Sequence, residues 1–290
     1  MRYSTPYIWR PNLLAIKYQP RPNFQHSYVQ IRNFNIIRDP TMPKPSSRQN
    51  SHKNDRITPQ PYRYQPLSPS QSSIRLLRLH PTPDPSWPIR CTLFHTTLKE
   101  APPYVALSYA WGDAAGSSLI IIGSETVSVT RNLRHALLRL RPKRGEEDLV
   151  MWIDAICINQ EDIPERNFQT ANMRAIYQHA ASVDVWLGLE NDGSSMAVQM
   201  ARDLNSCQTR EEVISLLDRP EAREHLLCLV TLFRRQYWWR IWVIQEVSCA
   251  KTAMVYCGDE AIPWTTLDNV CDILKMVESQ LRSLFYTHPS

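Results

Sequence analysis

Residues 149–188 read LVMWIDAICINQEDIPERNFQTANMRAIYQHAASVDVWLG, and their pattern decides the fold class. Leu149-Val-Met-Trp-Ile-Asp154 is an apolar run closed by an acid, as expected of a strand buried on both faces. Asp162-Ile-Pro-Glu165 opens a helix, with Asp162 in the capping position and Pro164 in the first turn, where a missing N–H costs nothing. That helix is expected to run to about Ala180 with Phe168, Ala171, Ala175 and Ile176 inward. Val183-Asp-Val-Trp-Leu-Gly188 follows as a second buried strand. Strand, helix, strand at this spacing forms a right-handed, parallel βαβ unit.

The flanks extend the same architecture. Tyr104-Val-Ala-Leu-Ser-Tyr109 reads as another buried strand, ended by a tight loop at Trp111-Gly112-Asp113. Leu119-Ile-Ile-Ile122 and Thr126-Val-Ser-Val129, separated by Gly123-Ser124-Glu125, read as a hairpin. Leu133, Ala136, Leu137 and Leu140 mark an amphipathic helix stopped by Pro142. Ile74-Arg-Leu-Leu-Arg-Leu79 and Ile89-Arg-Cys-Thr-Leu-Phe94, bounded by Pro-rich turns, suit two edge strands. A helical stretch covers 194–235, a further helix Trp238 to about Ser248, and a further strand Ala253-Met-Val-Tyr-Cys257. The sum is an α/β sandwich around a largely parallel sheet flanked by helices, with extra N-terminal strands and a hairpin.

Composition sets the domain plan. The 290 residues carry a net charge of +5, unevenly spread. Residues 1–73 hold eleven Lys or Arg against two acids and are +9, while the rest holds 22 against 26 and is −4. The same quarter has eleven of the 22 prolines and none of the seven glycines. Residues 1–61 are therefore expected to be a disordered, basic, Pro-rich leader, 62–270 the folded domain, and 271–290 a C-terminal helix or tail of a short or truncated chain. A nucleic-acid arm is the weaker reading of the leader, because the acidic body offers no broad basic surface. Pro6, Pro11, Pro20 and Pro22 interrupt the amphipathic helix a transit peptide needs. No apolar h-region follows Met1 and no run approaches a membrane span, so an intracellular, cytoplasmic protein without a membrane partner is expected. Seven cysteines without a Cys-x-x-Cys pair argue against zinc ribbons and disulfide scaffolds, and His135 and His179 lack partners at ligand spacing, so no metal is expected.

Ligands of open parallel sheets bind beyond the carboxyl ends of the strands, where Ser108, Asp113, Asp154, Asn159 and Gln160 fall. Local turn capping explains Asp113 and Asn159 equally well. Asp154, directly after an apolar run, is harder to dismiss. Glu165 is explained by helix capping. Trp242 and Glu246, at i and i+4, share a helical face, and a carboxylate beside indoles serves as an electrostatic partner for a cationic species. Spacing alone favours the plainer alternative, a Glu246 paired with Arg240 or Arg235 on a solvated face.

Taken together, Tyr104-Val-Ala-Leu-Ser-Tyr-Ala-Trp-Gly-Asp113, Trp152-Ile-Asp-Ala-Ile-Cys-Ile-Asn-Gln160 with Glu165-Arg166 and Trp186-Leu-Gly188, and Trp239-Arg-Ile-Trp-Val-Ile-Gln-Glu246 closely resemble the three blocks of the fungal heterokaryon incompatibility (HET) domain. The resemblance covers about residues 62–265. It implies a protein of fungal non-self recognition and programmed cell death, whose partner is itself, through self-association, or an incompatibility or receptor protein. HET domains are thought to be distant relatives of TIR domains, flavodoxin-like modules of which some cleave NAD. The Trp four residues before the TIR glutamate is matched by Trp242 and Glu246, which reverses the reading from spacing. The resemblance therefore implies Glu246 as catalytic, Ser108, Asp113, Asp154, Asn159 and Trp242 as substrate-binding, no resident cofactor, and NAD as substrate of an NAD+ nucleosidase. A non-enzymatic signalling or oligomerisation module that recruits death effectors is the alternative. Arg235-Gln-Tyr-Trp238 departs from the Arg-Pro-Trp often found before this helix.

Overall fold

The computed structural model describes residues 60–68, 72–84, 86–112, 116–240, 242–278 and 281. The expected leader thus lies outside the described residues except for Gln60 and Pro61, which run beside Thr126. Among the described residues no helix is long and apolar enough to cross a membrane.

Nine strands form one mixed sheet: β1 (Ser73–Leu79), β2 (Arg90–Thr97), β3 (Val105–Tyr109), β4 (Ser117–Ile122), β5 (Glu125–Thr130), β6 (Leu149–Trp152), β7 (Ser182–Trp186), β8 (Ala253–Cys257) and β9 (Glu260–Pro263). Their order is β5-β4-β2-β1-β6-β3-β7-β8-β9. The βαβ reading of 149–188 holds, with one strand inserted: β6 and β7 both pair in parallel with β3, which lies between them. With β8 beside β7, four adjacent parallel strands make the heart of the sheet. Outside it β1–β2, β1–β6, β4–β5 and β8–β9 are antiparallel, so the sheet is evenly mixed and not largely parallel.

The apolar runs read as buried strands are buried, with Ala106, Leu107, Met151, Trp152, Val183 and Val185 inaccessible to solvent. The hairpin turns at Gly123 and Ser124, and Gly123 supplies the positive φ of 62° that a two-residue turn needs. β1 and β2 are not edge strands. Both have partners on each side, because their prolines lie in the connections and leave every ladder N–H in place.

Helix α1 (Arg131–Leu140) is capped by the Thr130 hydroxyl, which accepts from Leu133 N. After the short α2 (Asp154–Cys157), α3 (Ile163–His179) starts as expected at Asp162, whose carboxylate accepts from Glu165 N at 3.0 Å. Its inward stripe differs from the expected one. Phe168 and Ala171 are exposed, and Gln169, Met173, Ile176 and Tyr177 face the sheet. Polar ends decide this: Gln169 donates to Ser73 O, and the Tyr177 hydroxyl to Leu107 O, so both bury without losing a hydrogen bond. The 194–235 stretch forms α4 (Ser194–Ser206), α5 (Arg210–Leu217) and α6 (Ala222–Leu232). The helix expected from Trp238 to Ser248 is broken into a 3₁₀ turn, Gln236–Trp239, and α7 (Val243–Ser248). Arg240 between them is extended, with ψ 127°, and this break gives the site its geometry. Finally α8 (Trp264–Met276) packs on β8, β9 and α4, running across the expected boundary at residue 270.

Candidate functional site

The chain leaves β3 for β6 on one side and later reaches β7 on the other, so the strand order switches direction at β3, where open sheets form ligand crevices. Ser108 sits near the carboxyl end of β3 and is fully buried. Its hydroxyl donates a short hydrogen bond to Glu246 Oε2 and lies 2.8 Å from the Tyr237 hydroxyl. Glu246 is 1% exposed. Arg240 closes on it with both arms, Nη2 to Oε1 at 2.8 Å and Nη1 to Oε2 at 3.0 Å.

This fork-to-fork geometry depends on the broken helix. In a continuous helix residues 240 and 246 would lie on different faces, whereas the extended Arg240 folds its side chain back along the first turn of α7. Burial pulls the Arg240 guanidinium down, but the charge of Glu246 and their hydrogen bond outweigh it and leave Arg240 raised. Burial, then Glu246, pushes the Tyr237 hydroxyl up, so it remains a neutral donor.

Asp154, at the mouth of β6, accepts from Trp111 Nε1 at 2.8 Å and from its neighbour Ala155 N at 2.7 Å. Desolvation raises its carboxyl, opposed by the Trp111 hydrogen bond and by Arg240, while Glu246 adds to the rise. The two carboxyls therefore feel each other across the same Arg240. Around them Trp111, Trp242 and Trp239 are exposed, Trp239 by 76%.

The model of the family "Heterokaryon incompatibility protein (HET)" matches residues 104–246, which begin at β3 and end on Glu246. Residues 104–246 are a heterokaryon incompatibility (HET) domain. The chain is similar to the Heterokaryon incompatibility protein 6, OR allele, of Neurospora crassa, at 29% identity over 263 residues, covering 76% of this chain. The chain spans 38% of the length of that relative. No solved structure matches it.

Within the HET domain the candidates do not all converge. Ser108 and Glu246 meet directly, and Asp154 lies near enough to Arg240 and Glu246 for their charges to act on it. Trp242, one helical turn before Glu246, accepts the Glu246 N–H at its carbonyl and is exposed where Glu246 is buried. Asn159 serves the adjoining turn, accepting from Glu161 N and donating its own N–H to Glu165. Gln160 Nε2 donates to Asp154 O and steadies α2. Asp113 lies outside the described residues.

Three residues escaped the reading of the sequence. The Tyr237 hydroxyl is visible as a site group only once Ser108 is placed against it. Arg240 was expected beside Glu246, but on a solvated face, not sealing a buried one. Arg75, fully buried on β1, binds both oxygens of Glu165 at 2.5 and 2.9 Å and the carbonyls of Cys157 and Gln65. β1 carries two arginines, and nothing in its sequence marks Arg75 as the buried one and Arg78 as the exposed one. Among the described residues no group of His, Cys, Asp and Glu is arranged to hold a metal.

Proposed function

We propose that the chain acts in non-self recognition and programmed cell death as a TIR-like HET effector that cleaves NAD, with Glu246 as the catalytic carboxylate. The observation that carries this reading is the Ser108–Glu246–Arg240 cluster at the direction switch of the parallel strands. Taken in chain order, those strands lie second-first-third-fourth, which is the flavodoxin-like arrangement that TIR domains share. In the reaction the bond between ribose C1′ and the pyridinium nitrogen breaks, its electron pair neutralising nicotinamide. Glu246 stabilises the positive ribosyl centre, water adds there, and a proton is released with ADP-ribose. Arg240 must first turn away, which fits activation by self-association or by an incompatibility partner that rearranges the 236–242 segment. Trp111 and Trp242 would stack on the bases, and Asp154 and Ser108 would hold the ribose hydroxyls.

The closed Arg240–Glu246 pair favours one alternative. A carboxylate saturated by an arginine and a serine suits a structural latch, and the domain would then recruit death effectors without chemistry. Expression of the full chain in a heterologous fungus, with NAD and nicotinamide followed by chromatography, separates the two. The enzyme reading expects toxicity and NAD loss that Glu246→Ala abolishes together. Toxicity with NAD intact establishes the recruiting module. NAD loss that survives Glu246→Ala moves the catalytic role elsewhere.

A further inference from the structure

Asp184 has no role in the site above, and its surroundings are unusual. Side chains alternate along a strand, so Ser108, paired with Val185, and Asp184, paired with Leu107, face opposite sides of the sheet. Asp184 is only 7% exposed. No hydrogen-bond donor or cation pairs with it among the described residues, although a buried carboxyl is almost always partnered. It lies in the wall of a cleft of about 550 Å³ near the amino ends of β3 and β7, under the C-terminal end of α1.

The cleft's other groups indicate which charge it accepts. Arg139, the nearest cation on α1, is committed elsewhere: it donates to the carbonyls of Gly258 and Asp259 and stacks 5.3 Å from the Tyr256 ring. Arg141 donates to Trp87 O, and Lys143 sits exposed on the rim. Glu146 and Glu147 line the same cleft, and the last carbonyls of α1 add partial negative charge. Tyr256 contributes an aromatic wall. The cleft therefore presents a buried carboxyl with no counter-ion, the rim acids Glu146 and Glu147 with Asp148, which pairs with His80, against the exposed amine of Lys143, and a ring.

We propose that this cleft binds a small organic cation, an amine or a guanidinium, with Asp184 as its counter-ion. The assignment is independent of whether Glu246 carries out chemistry. In the empty cleft desolvation alone holds the Asp184 carboxyl up, at about 7. A cation arriving beside it restores the carboxylate, and the displaced proton leaves to solvent, about half a proton per site near neutral pH. Tyr256, itself raised by burial and then by Asp184, stays protonated throughout.

The test is calorimetric titration of the full chain with agmatine, spermidine and, as an uncharged control, 1,4-butanediol, in two buffers of different ionisation heat. Saturable binding of agmatine or spermidine with proton release, absent for the diol and weakened about tenfold or more in Asp184→Asn, is expected. Should that variant not fold, the wild-type carboxyl carbon resonance of Asp184 decides, since its titration must move to lower pH when the cation is added. No saturable binding, binding without proton release, or equal affinity in Asp184→Asn overturns the proposal.

Discussion

Asp184 is costly to the fold as pH rises. Its carboxyl sits at about 7 in the native state against about 3.9 in an unfolded chain. Between those values the native state holds more protons than the unfolded one, so stability falls across that window and the loss is complete above it. Asp184→Asn is expected to be more stable than wild type at pH 8 by about 1–3 kcal/mol, the gain vanishing by about pH 4. Urea unfolding at the two pH values checks this, and an equal effect at both would refute it. Glu246, by contrast, already has its counter-ion in place. Arg240→Met strands a carboxylate that is 1% exposed and is expected to cost about 3–5 kcal/mol. Adding Glu246→Leu removes the stranded charge and is expected to recover most of that loss in a double-mutant cycle.

At the scale of elements, α3 is anchored at its start by two devices that differ in weight. Asp162 caps the backbone at an exposed position, so Asp162→Ala is expected to cost about 1 kcal/mol. Glu165, three residues on, reaches the fully buried Arg75 instead of closing a capping box. Glu165→Ala leaves that guanidinium unpaired and is expected to cost about 3–5 kcal/mol, several times the cap. Thermal unfolding of the two variants side by side reads the ratio, and equal losses would mean that the pair adds nothing beyond the cap. The Arg75–Glu165 pair also joins β1 to α3 and, through Cys157 O and Gln65 O, to α2 and the 60–68 segment. The other telling element is the 236–248 stretch. Its aromatic-rich pattern suits one helix, and only the extended Arg240 lets a guanidinium reach back to Glu246.

For the whole molecule, the sheet makes the domain larger than the segment that carries the family pattern. Residues 104–246 omit β1, which pairs with β6, and β8, which pairs with β7. A fragment of 104–246 would present two apolar strand edges and is expected to aggregate, whereas 60–281 gives a cooperative unfolding transition. Size exclusion and circular dichroism decide it, and a monomeric, folded 104–246 would show the outer strands to be dispensable. Apolar runs ending in polar residues, the Asp162 cap and the Gly123 turn specify β3, β6, β7, the hairpin and α3 from local sequence alone, because burial period, capping and positive φ are properties of neighbouring residues. Ser108, Asp154 and Glu246 were legible as candidates for the same reason, being polar groups in apolar blocks. The pairing of β1 on both edges, the inward turn of Gln169 and Tyr177, the Arg240 break and the unpartnered state of Asp184 were decided only by tertiary structure. The β1–β6 pairing and the Gln169–Ser73 and Tyr177–Leu107 bonds join groups far apart in the chain, and the Arg240 break serves a carboxylate that is close in sequence but buried against the distant Ser108; no local pattern encodes where such a partner comes to rest.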